Sequence, residues 1–108
     1  MSTAKVNSTS ESDALPSSLV SAAIAAIHLA ELALKWKVMK DLAKSAAKRL
    51  ERILPYAHDP ALQCKFYVVL WALRKLPYVH TSLICRSLSN LKAISRHFEV
   101  PDGASHDT

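Results

Sequence analysis

The chain has 108 residues, half of them apolar, with a formal net charge of +5, two cysteines and a single glycine. That length holds one domain, and that apolar fraction excludes an intrinsically disordered chain. The lone glycine, Gly103, excludes a fold built on tight positive-φ turns, and the Ala, Leu, Lys, Arg and Ser that dominate favour helices, so an all-α fold is predicted.

Residues 1–15 are rich in Ser and Thr and read as a disordered tail, 16–100 as one helical domain, and 101–108 as a second polar tail. The N-terminal stretch lacks the basic region of a secretory signal and carries Glu11 and Asp13, which predicts an intracellular protein, cytoplasmic or nuclear.

Pro16, Ser17 and Ser18 offer capping chemistry, and from there the apolar pattern predicts one long helix over about 17–54. Leu29, Leu32, Trp36, Met39, Ala43, Ala46, Leu50 and Ile53 alternate by three and four, and Ala22 and Ala25 carry the same seam backwards. At 1.5 Å per residue such a helix is about 54 Å long, too long for the remaining chain to cover. The expectation is a homodimer that associates through Ala22, Ala25, Leu29, Leu32, Trp36 and Met39. Ala22, Ala26 and Ala30, four residues apart, favour close helix approach.

Pro55 ends this helix, and Asp59-Pro60 starts the next, over about 60–76. Gln63, Tyr67 and Arg74 form a narrow polar strip, whereas Phe66, Val68, Val69, Leu70, Trp71, Leu73 and Leu76 fill most of the circumference. A central, mostly buried helix follows from that pattern. Pro77 stops it. Thr81 or Ser82 is the expected cap of a third helix over about 82–98, with Ile84, Leu88, Leu91 and Phe98 on one face. The plan is thus three helices, the second and third packed back on the first.

No catalytic or metal-binding pattern emerges. The five histidines fall at no ligand spacing with one another or with a cysteine, and Cys64 and Cys85 are expected to be buried free thiols in apolar helices. Phosphate-cradling loops need glycines that the chain does not have. The sequence predicts no enzyme, no cofactor and no metal.

The informative feature is where the charge lies. Between Lys35 and Leu54 there are seven cations (Lys35, Lys37, Lys40, Lys44, Lys48, Arg49, Arg52) against Asp41 and Glu51, which is the whole net excess of the chain. Lys40, Lys44, Lys48 and Arg52 follow one another four residues apart, a spacing at which like charges repel by a few tenths of a kcal/mol per pair. A polyanion relieves that repulsion, and duplex nucleic acid offers about one charge per 1.7 Å of axis. With no base-reading motif present, the expected function is sequence-independent binding of duplex nucleic acid, double-stranded RNA ahead of DNA. The competing expectation is an adaptor for a membrane or a protein. It rests on the apolar, Ala-rich segment 15–34, which has the ~20 residues a spanning helix requires and is followed by a Trp-Lys boundary. In that case the basic half lies against an anionic membrane surface.

Overall fold

The structure, a computed structural model, describes residues 16–37 and 40–99. It is all-α, with four helices where the sequence predicts three: α1 (Ser17–Trp36), α2 (Lys40–Ile53), α3 (Pro60–Lys75) and α4 (Thr81–His97). A short 3-10 turn, Leu54–Tyr56, carries Pro55 out of α2.

The long helix is broken. Its amide hydrogen bonding runs to Lys37, whose N–H donates to the Ala33 carbonyl at 2.9 Å, but Lys37 itself takes a positive φ of 49°. The chain then turns, and α2 folds back along α1 in the most extensive helix pairing of the molecule. Heptad phase accounts for this. The residues of α1 that are buried are Leu19, Ala23, Ala26, Ile27, Ala30, Ala33 and Leu34. Their central row, Ala23, Ala26, Ala30 and Ala33, is one residue out of step with the seam expected from the sequence. Continued along a straight helix, that row meets Lys37, Lys40 and Lys44. A continuous helix therefore cannot bury both the alanine face of its first half and the apolar face of its second.

The break lets the two faces meet. In α2 the buried set is Ala43, Ala46, Leu50 and Ile53, as the expected seam predicts for that half, together with Ala47. Small side chains on both helices permit a close interaxial approach, and Leu34, Leu50 and Ile53 are buried with them. The apolar cover that a long helix was expected to seek from a second copy comes, on this face, from the chain's own α2 and α4.

α3 begins as the sequence predicts. The Asp59 carboxylate accepts from the Ala61 N–H at 3.4 Å, and Pro60 occupies the first helical position. The Gln63 amide donates to the Ala57 carbonyl at 2.7 Å and fixes the connection leading in. α3 is more exposed than its composition suggests. Leu62, Phe66, Val69, Leu70, Ala72 and Leu73 are buried, but Trp71 is 55% exposed and Tyr67 57%. One side of α3 thus faces water, and the expectation of a central, mostly buried helix is corrected in that Trp71 is exposed.

α4 packs on α3 and on α1. Its cap is neither Thr81 nor Ser82 but His80, whose Nδ1 accepts from the Ser82 N–H at 3.1 Å and lies 2.9 Å from the Ser82 hydroxyl. Ile84, Leu91 and Ile94 point inward, and Phe98 closes the core with its ring edge-on to Phe66, centroids 6.1 Å apart. At the other end of the chain no serine hydroxyl caps α1. The Pro16 carbonyl accepts from the Leu19 and Val20 N–H groups instead. Both cysteines are free, as expected, but exposed rather than buried: Cys64 and Cys85 lie on the outer sides of α3 and α4.

Candidate nucleic-acid interface

α2 positions the basic residues. Its five buried residues fill one side, and at 100° per residue Lys44, Lys48 and Arg52 fall on the opposite side, with Lys40 and Arg49 on the two flanks. All five are exposed. The inward alanines, leucine and isoleucine leave α2 only one orientation on the bundle, so its cations have one direction to face. From Lys40 to Arg52 the line runs about 18 Å along the axis.

The break changes the two cations that precede it. Lys35 lies in the last turn of α1, and Lys37 sits at the positive-φ position in the hairpin turn. Both are exposed, but neither extends the α2 line as a continuous helix would. They instead lie at the end of α1, before α2 begins at Lys40.

The two acids of this region are placed differently from each other. Asp41 occupies the first turn of α2, where the N-terminal end of the helix dipole favours a negative charge. Glu51 turns toward α3 and forms an ion pair with the Arg74 guanidinium. An exposed pair of this kind contributes little stability, about 0–1 kcal/mol, but its geometry is informative. It sets the C-terminal turns of α2 against the C-terminal end of α3.

The exposed side of α3 next to this contact also carries Trp71, which the sequence pattern places among the buried residues. Tyr67, Trp71 and Arg74 lie on one exposed stripe of α3, and the Lys75 ammonium sits 5.5 Å above the Trp71 ring. α3 itself contains no acidic residue. The signal was present in the i, i+4 spacing of Tyr67, Trp71 and Lys75. It was masked because tryptophan in an apolar run reads as core.

The residues expected to mediate self-association lie mainly on the outer side of α1. Ala22 and Ala25 are exposed, Leu32 is 44% and Trp36 62% exposed, and Leu29 is half-buried against the core. Met39 lies outside the described residues. α1 is also long and apolar enough to cross a membrane by length and composition. Among the described residues, no three His, Cys, Asp or Glu side chains come together in a metal-binding group. Comparison with protein-family models, curated proteins and solved structures gave no match.

Proposed function

We propose that this chain is a non-enzymatic binder of duplex nucleic acid that holds the phosphate backbone on the outer face of α2. Lys40, Lys44, Lys48, Arg49 and Arg52 make the contacts, with Lys35 and Lys37 assisting from the hairpin turn. One observation carries the reading. Lys44, Lys48 and Arg52 share one exposed helix face with Lys40 and Arg49 on its two flanks, while Glu51, one of the two acids on that helix, pairs with Arg74. The arrangement supplies charge and a straight line of it, but no element that enters a groove. Recognition is therefore of backbone and shape, with double-stranded RNA ahead of DNA.

Two copies associate in this reading through the outer stripe of α1, where Ala22, Ala25, Leu29, Leu32 and Trp36 keep heptad spacing. A dimer presents two basic helices to one duplex. The test is binding of a labelled RNA duplex to the protein and to its Lys40→Glu/Lys44→Glu/Lys48→Glu variant. Loss of binding in the variant, at unchanged helicity, supports the reading, and equal binding overturns it.

A second reading, attachment to an anionic membrane surface, is favoured by the length and apolar composition of α1. Spanning would uncover Ala23, Ala26, Ile27, Ala30 and Ala33 from the bundle, so only the outer stripe with Leu32 and Trp36 is free to insert. Liposome flotation that survives high salt and disappears in Leu32→Glu favours this reading over the first.

A further inference from the structure

We infer that the exposed stripe of α3 is a stacking platform for unpaired nucleotides, continuous with the basic face of α2. The inference rests on the polyanion reading above and names a second part of the same ligand.

The observations are geometric and electrostatic. Every tyrosine and tryptophan among the described residues is at least half exposed, and of these Tyr67 and Trp71 lie one turn apart on the same helix face. Large aromatic surface left in water at helical spacing favours a flat partner. What surrounds it narrows the partner's chemistry. Lys75 lies over the Trp71 ring, Arg74 is one turn along, and the Glu51–Arg74 ion pair sets the stripe against the C-terminal turns of the helix that carries Lys48 and Arg52. The ion pair with Arg74 neutralises Glu51, and α3 itself carries no acid. A flat group attached to a polyanion satisfies both features, which is the description of an unpaired base on its phosphate backbone. A base inside a duplex does not offer its face, so this platform serves a single-stranded overhang, loop or bulge next to the duplex on α2.

The test compares three probes: a short blunt RNA duplex, the same duplex with an oligouridine overhang, and the oligouridine strand alone. The wild type binds the overhang duplex more tightly than the blunt one. Trp71→Leu lowers overhang binding by about five- to hundredfold, the range of one lost base stack, and leaves blunt binding unchanged. Trp71→Phe restores most of the difference. In a Trp36→Phe background Trp71 is the sole tryptophan, and its fluorescence is quenched by the oligouridine strand. Equal affinity of the wild type for blunt and overhang duplexes overturns the inference, as does an equal effect of Trp71→Leu on both. Binding of the oligouridine strand without the blunt duplex overturns the duplex reading and leaves this one standing. Binding of no probe overturns both.

Discussion

The pairing of α1 with α2 makes a sharp prediction about two adjacent alanines. Ala26 is fully buried in the hairpin seam, and Ala25 is exposed on the outer side of the same helix turn. Leucine at either position is compatible with a helix, and its intrinsic propensity differs from alanine's by only a few tenths of a kcal/mol. The contrast must therefore come from packing. At position 26 the added methyl-bearing groups meet a helix already at close approach, with Ala23, Ala30, Ala33, Ala43 and Ala46 all fully or almost fully buried around the seam. Overpacking of this kind costs about 1–3 kcal/mol. For a domain of this size 1 kcal/mol moves the midpoint by about 4–8 °C, so Ala26→Leu is expected to lower Tm by roughly 4–24 °C. Ala25→Leu is expected to stay within about 0.5 kcal/mol of the wild type. Thermal unfolding by circular dichroism at low protein concentration measures both, and repeating it at high concentration separates any effect on self-association. Equal costs at the two positions, or a neutral Ala26→Leu, refute the seam described here.

Three further substitutions test particular features. Lys37→Gly removes the penalty a Cβ carries at positive φ and is expected to raise stability by about 0.5–1 kcal/mol in denaturant melts; a loss would argue against the break. His80→Ala removes the ring nitrogen that accepts from the Ser82 N–H and is expected to cost about 1 kcal/mol, whereas His80→Asn, which keeps an acceptor at the cap, retains most of the stability. Ser87 is wholly buried with no partner for its hydroxyl, so Ser87→Ala is expected to be neutral or stabilising by up to about 1 kcal/mol, checked in the same melts.

The helices themselves were legible in the sequence because their boundaries are written in strong local chemistry. Pro55, Asp59-Pro60 and Pro77 each stop or start an element where the pattern requires. The break at Lys37 has no such sign. KWKVMK contains no glycine or proline, every residue in it suits a helix, and the Leu29–Leu32–Trp36 seam runs through it without interruption. Only the competition between two apolar faces of α1 decides the matter. The alanine face has less area per residue but allows closer packing, a tertiary gain that a periodicity count does not weigh.

The candidate site divides in the same way. The exposed cations of α2 follow from the amphipathic spacing of that helix, so they were readable from the chain alone. Trp71 was not. Its neighbours Leu70 and Leu73 are buried, and the polar residues that mark the outer side of α3, Tyr67 and Arg74, are too sparse to show that a tryptophan shares it. The proximity of α2 and α3 at Glu51 and Arg74 depends on how two helices cross, which no local pattern contains.

The most direct test of the basic face is the salt dependence of duplex binding. If the five cations from Lys40 to Arg52 each neutralise a phosphate, log affinity falls against log salt with a slope of roughly −4 to −5. Lys44→Glu/Lys48→Glu should then flatten that slope by about 2 as well as weaken binding. A slope near zero, or one that the double substitution leaves unchanged, contradicts the assignment of α2 as the nucleic-acid-binding surface.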